Sequence, residues 1–231
     1  MWCAAKRWST SGRWTLAASG NVPEFDDAFR AHLVELLTWR RDVRRFRADP
    51  LPDGLLEHLL EVAALAPSVG LSQPWRFVIV EDAGRRAEVR ANFERANAAA
   101  LAAYEGAEAQ SYARLKLAGL DEAPVHLAVF ADPGTAQGHG LGRQTMPEMI
   151  EYSAVTAIHT LWLTARAHGI GLGWVSILDP AAVGRSLEVP PEWSLVGYLC
   201  LGYPQEADDT PALERAGWER RRAVESFVLR R

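Results

Sequence analysis

The stretch from residue 148 to 168 constrains the fold more than any other. Met149, Ile150, Tyr152, Val155, Ile158, Leu161, Trp162 and Leu163 recur there at helical spacing. They spread beyond a single stripe, so this helix is buried on most sides, in a core or in a subunit interface. Gly169 and Gly171 are expected to end it. Whatever else the chain forms has to pack around it.

Three apolar runs supply the partners. Arg76–Val80, Pro124–Phe130 and Leu195–Leu201 read as strands, and Gly173–Leu178 as a fourth. Two helices precede the first strand. Residues 24–39 place Phe25, Phe29, Leu33, Leu36 and Leu37 on one face, and Leu55, Leu56, Leu59, Leu60 and Ala63 repeat the pattern after Pro50 and Pro52, with Asp53 as cap. Residues 85–118 are rich in Ala, Arg and Glu and read as helix. The stretch 132–147 reads as loop, and Pro180–Leu187 as a short helix. The expectation is one α+β domain over residues 24–231. The first 23 residues form a disordered arm, and the tail from about 204, which keeps Trp218, Phe227, Val228 and Leu229, packs on a partner subunit.

Composition removes several classes of function. A formal net charge of −4 gives no broad electrostatic footprint for nucleic acid, and no apolar run has the length of a membrane span. The N-terminal residues lack the continuous apolar stretch of a signal peptide. The two cysteines, Cys3 and Cys200, lie far apart, which argues against a disulfide framework and for the cytoplasm. The histidines show no metal-ligand spacing, so no metal is expected.

Three segments carry chemistry. Arg40, Arg41, Arg44 and Arg45 offer planar donor forks suited to phosphate, and on a helix residues 40 and 44 share a face, as do 41 and 45. Asp42 is an acid set among them. Ala66-Pro67-Ser68-Val69-Gly70-Leu71-Ser72-Gln73-Pro74-Trp75 makes a turn with polar groups: Ser68 has a hydroxyl, and Gln73 can both donate and accept, as the pyrimidine edge of a flavin requires. Trp75 opens an apolar strand and belongs to the core. Gly171 and Gly173 let backbone approach something flat, and Ser176 sits inside that apolar strand. A phosphorylated, planar ligand fits all three segments, and FMN fits best.

Together these segments resemble the nitroreductase-like flavoenzyme superfamily, over about residues 30–222. That resemblance implies an α+β homodimer with a central mixed, mainly antiparallel sheet flanked by helices, and FMN at the subunit interface. In that superfamily the residue after the first two arginines is usually serine; here it is Asp42. The departure resembles the branch that makes 5,6-dimethylbenzimidazole, and Leu141–Met149, Tyr152-Ser153, Gly173–Ile177 and Leu199–Pro204 support it.

The branch implies that reduced FMN is a substrate. It is fragmented with O2 to 5,6-dimethylbenzimidazole, the lower ligand of vitamin B12, and erythrose 4-phosphate. Arg40, Arg41 and Arg44, with Val43 between them, are then cofactor-binding. Asp42 takes a proton from the ribityl side or orders that chain, its charged form favoured by the arginines. Ser176 hydrogen-bonds the flavin or relays a proton, and Ser68, Gln73 and Gly173 contact the ring system. Residues 85–118 or the 132–150 loop would cover the site and keep nicotinamide out, so a separate NAD(P)H-dependent flavin reductase supplies reduced FMN. The competing enzyme reading is an NAD(P)H-dependent nitroreductase or flavin reductase that keeps its flavin intact; a non-enzymatic flavin-binding protein is the third.

Overall fold

Four short strands carry the molecule. The computed structural model describes residues 22–102, 104–106 and 118–231. The expected N-terminal arm therefore lies outside the described residues, apart from 22 and 23, as does much of the second half of the 85–118 helix. Strands β1 (Trp75–Ile79), β2 (Val125–Ala131), β3 (Gly171–Val175) and β4 (Ser194–Gly202) form one sheet in the order β1-β2-β4-β3, each neighbour antiparallel. Among the described residues, the one parallel element is an isolated bridge from Asp42 to Leu172 on the outer edge of β3.

Period-two alternation sends alternate residues of β2 and β4 into two cores. Leu127, Val129, Leu199 and Leu201 face α2 (Leu55–Ala63) and α5 (Met149–Ala167), where Leu59, Ile158, Leu161 and Ala165 meet them. Ala128, Phe130, Tyr198 and Cys200 face the other way, under Phe46, Val89 of α3 (Ala83–Leu101), Leu120 of α4 (Gly119–Glu122) and Val183 of α6 (Pro180–Ser186). Asp179 caps α6 by accepting from the amides of Ala181 and Ala182.

In α5 one stripe is buried within this chain: Ile150, Ala154, Ala157, Ile158, Leu161 and Ala165. Tyr152 and Val155, on other sides, stay exposed. Helix α1 (Asp27–Trp39) is capped by Asp26, whose carboxylate accepts from the Phe29 amide. It buries no residue, and Phe29, Leu33 and Leu37 are each more than 40% exposed. The apolar faces expected of both helices exist, but one chain covers only part of them.

Three local expectations are corrected. Gly54, in the left-handed region at φ 76°, caps α2 in place of Asp53. Gly169 (φ 74°) ends α5, whereas Gly171 already belongs to β3. β3 stops at Val175, so Ser176 lies just past the strand and is exposed, not embedded in it.

His126 is a buried group with a pH consequence. Its Nδ1 lies 2.9 Å from the Tyr198 hydroxyl, and burial, helped by the nearby Arg86, pushes the imidazole down to about 4. An unfolded-chain histidine titrates near ~6.5. Between these values the unfolded chain takes up a proton that the native state refuses. The stability is therefore full above ~6.5 and lost as pH falls toward about 4. His126→Gln has no such titration. Its unfolding free energy in urea should approach that of the parent by about 2 kcal/mol between about pH 7.5 and about pH 4.5. A difference that does not change with pH would exclude this account.

Candidate functional site

The arginine cluster is extended, not helical. Helix α1 ends at Trp39 because the following backbone finds partners on the sheet edge: the Val43 amide donates to Leu172 O at 3.0 Å, and the Trp174 amide donates to Asp42 Oδ1 at 2.9 Å. Further along, the Arg47 amide reaches Tyr203 O, and Phe46 bridges to Pro204. In an extended segment alternate side chains share a side. Arg40, Asp42 and Arg44 therefore form one set and Arg41, Val43 and Arg45 the other, so the 40/44 and 41/45 pairings hold although the segment is not a helix.

Gly171 and Gly173 serve this docking. A Cβ on Gly173 would stand 2.3 Å from Val43 O, and one on Gly171 would stand 2.7 Å from a Val43 methyl. The close approach inferred for these glycines is real, but what approaches is the arginine segment. Glu122 holds the far end: its carboxylate takes Arg45 Nη2 at 2.9 Å and the Phe46 amide at 3.0 Å. Arg45 is thereby occupied with structure, and the Arg41 guanidinium likewise donates to the carbonyls of Arg40 and Asp209.

That site has an excess of positive charge. A cavity of about 180 Å³ is lined by Arg40, Arg41, Arg44 and Arg221, with Asp42, Pro211, Ala212 and Leu213 completing its walls. Burial and the proximity of Arg221 lower the Arg40 and Arg41 guanidinium pKa values from their ordinary range. The Nε atoms of Arg41 and Arg44 are buried without hydrogen-bond partners. Buried donors without hydrogen bonds are costly and, among like charges, favour an anion; Arg44 Nε has only the Asp42 carboxylate, 3.8 Å away. A second cavity of about 120 Å³, lined by Arg41, Arg44, Arg45, Asp208 and Arg215 among others, lies on the same segment, and Asp42 borders both.

Asp42 behaves differently from the expectation. Burial raises its carboxyl above the usual carboxylate range, outweighing the Trp174 amide, Arg44 (Nε to Oδ2 3.8 Å) and Arg40, which all pull it down. The side chain keeps 38% of its surface open, so the rise comes from the protein packed around it and not from complete enclosure.

Ser68 and Gln73 form a second constellation before β1. Ser68 Oγ accepts the Gln73 amide at 3.1 Å across the 3-10 turn Val69–Leu71. Gln73 Oε1 accepts from Gln137 Nε2 at 2.9 Å and its Nε2 donates to Ala64 O at 3.4 Å, so both ends of this side-chain amide are held within the chain. Ser72 Oγ beside it is buried without a partner. This constellation does not meet the arginines within one chain. Gln73 precedes the outer strand β1, and Asp42 sits on the opposite edge at β3. Four strand spacings, about 19 Å, and six or more residues of register, about 20 Å, put them roughly 28 Å apart. A ligand that touches both needs two copies of the chain.

Sequence reasoning did not single out Arg221 or Glu122, and it named Trp162 only as an apolar residue of the 148–168 helix and within the Leu161-Trp162-Leu163 segment of the resemblance, not as a partner of the arginines. The run Glu219-Arg220-Arg221-Arg222 was a signal for the first; the other two act through long-range contacts that leave no local pattern. Among the described residues no group of three or more His, Cys, Asp or Glu could hold a metal ion, and no helix is long and apolar enough to cross a membrane.

An antiparallel sheet wrapped by helices, with an extended arginine segment pinned to its edge, defines the class: residues 37–203 match the nitroreductase family, and the chain belongs to it. Within that class it is 57% identical over 200 residues to the 5,6-dimethylbenzimidazole synthase of Rhodospirillum rubrum, covering 87% of this chain and 95% of the relative. The enzyme of the same name from Rhodobacter capsulatus is 53% identical, over 84% and 94% of the two chains. Among solved structures, iodotyrosine deiodinase bound to FMN and 3-iodo-L-tyrosine superposes with a TM-score of 0.65 at 28% identity, over 76% and 91% of the two chains.

Proposed function

We propose that this chain is a 5,6-dimethylbenzimidazole synthase that consumes reduced FMN and O2 and releases erythrose 4-phosphate. The observation that carries this reading is Asp42, an acid fixed to the edge of β3 among arginines, in a chain 57% identical to a synthase over nearly its whole length. FMN fits the residues present: the Nε atoms without hydrogen bonds and the excess of cations suit a phosphate dianion.

When bound in reduced form, the flavin supplies both the electrons for O2 and the carbon atoms of the product. The chain's own groups then divide the work. Arg40, Arg41, Arg44 and Arg221 hold the phosphate, which sets where the ribityl chain runs. Asp42, borne on that same segment, accepts a proton from the ribityl side or orders its hydroxyls. Its raised pKa makes it a stronger base than an ordinary aspartate. Ser176 lies two residues, roughly 7 Å, beyond the Trp174 amide that anchors Asp42, and hydrogen-bonds the flavin or relays a proton.

Ser68 and Gln73 contact the ring system from the other subunit of a homodimer. Three observations support the dimer: the two constellations lie at opposite edges of the sheet, α1 has an uncovered apolar face, and Phe227, Val228 and Leu229 in the tail are exposed. The described part of the 85–118 stretch is docked, with Asn92 exchanging two hydrogen bonds with the Asp179 backbone. The 132–150 loop is thus the better candidate cover. A separate NAD(P)H-dependent flavin reductase supplies reduced FMN, in the cytoplasm, where the buried thiol of Cys200 stays reduced.

Mass spectrometry after mixing the protein with chemically reduced FMN and air tests this reading. 5,6-Dimethylbenzimidazole should appear as FMN disappears. Intact FMN with hydrogen peroxide would overturn it in favour of a nitroreductase or flavin reductase.

A further inference from the structure

Besides Glu122 at the far end, a second side chain touches the arginine segment at two successive residues. Trp162 of α5 places its ring under the Arg40 guanidinium, 4.6 Å from centroid to Cζ. Its indole Nε1 donates to Arg41 O at 3.2 Å. The same ring lies 6.2 Å from that of Trp174, whose amide holds Asp42. We propose that Trp162 is a positioning residue for the phosphate site: it presets Arg40 and the backbone of Arg41 before the ligand arrives. The inference rests on the phosphate reading of the arginines given above.

The physical case is one of preorganisation. Arg40 has a flexible side chain, is repelled by Arg221 and loses hydration on burial. Left alone it would turn toward solvent and would have to be reordered at each binding event, which weakens affinity. The electron-rich indole face offsets the repulsion by a cation–π contact. The indole N–H fixes the peptide between Arg41 and Asp42 in the extended form that the β3 edge requires. Because α5 is anchored in the core by Ile158, Leu161 and Ala165, the ring is a rigid platform.

The test compares FMN with riboflavin, which lacks the phosphate, by fluorescence titration of the full chain. Trp162→Leu removes both the π face and the donor; Trp162→Phe keeps a ring and loses the donor. FMN affinity should fall roughly tenfold in Trp162→Leu and by less in Trp162→Phe, while riboflavin affinity stays within about twofold of the parent. In Arg40→Gln, adding Trp162→Leu should cost less than it does alone, since both act on one contact. Equal losses for FMN and riboflavin, or no loss in either variant, would overturn the proposal. A parent protein that binds riboflavin as tightly as FMN would overturn the phosphate reading itself, and the proposal with it.

Discussion

Asp42→Asn should abolish production of 5,6-dimethylbenzimidazole while FMN still binds. The amide is nearly isosteric and keeps an oxygen for the Trp174 amide, which lies 2.9 Å from Oδ1, so the segment should stay docked. What is lost is a basic group and one negative charge. Losing a positioned general base slows a reaction by about 100- to 10,000-fold. Asp42 is the only acid among the described residues on the wall of the 180 Å³ cavity, so removing it makes that cavity more positive and FMN affinity should hold or rise. Product measured by mass spectrometry beside FMN binding measured by fluorescence separates the two effects. Product at the parent's rate would remove Asp42 from the chemistry. Weak FMN binding would reassign it to the binding site.

Gly173→Ala is the second large effect, and it acts on the same segment from the other side. The new methyl would stand 2.3 Å from Val43 O. That oxygen belongs to backbone already committed to the edge of β3, so it cannot swing aside as a side chain could. Either β3 or the arginine segment has to shift, breaking the Val43–Leu172 hydrogen bond or the Asp42–Trp174 one. We expect a loss of about 3 kcal/mol in urea unfolding and loss of FMN binding with it. Gly184→Ala is the control: its Cβ would meet a Val189 methyl at 3.6 Å, ordinary contact, inside helix α6. It should be neutral or stabilising by up to about 1 kcal/mol. Similar stability for the two variants would show that the close approach at Gly173 relaxes cheaply.

The residues most legible beforehand are those whose environment is set by their sequence neighbours. The apolar spacing of α5, the continuous apolar run of β2 and the turn between Ala66 and Trp75 each follow from local periodicity or local backbone chemistry, and each is present. The arginine cluster was equally visible as a concentration of planar donors, because residue type alone supplies them, and the structure gathers three of them on one cavity. Even the apolar face of α1 was readable, though not that one chain would leave it open.

Tertiary structure decided what depends on distant partners. Arg40–Arg45 are extended because Asp42 meets the Trp174 amide 132 residues away, and no local pattern announces a free sheet edge at that distance. The carboxyl of Asp42 is raised because burial outweighs the arginines, and burial is a property of the assembled shell, whereas the arginines are its neighbours in sequence. Gly173 has no room for a side chain because strand register brings the Val43 carbonyl against it. Sequence order likewise could not tell that Gln73 and Asp42 stand at opposite edges of the sheet. Local propensity is written in neighbouring residues; which surfaces and hydrogen-bonding groups meet is written only when the chain closes on itself.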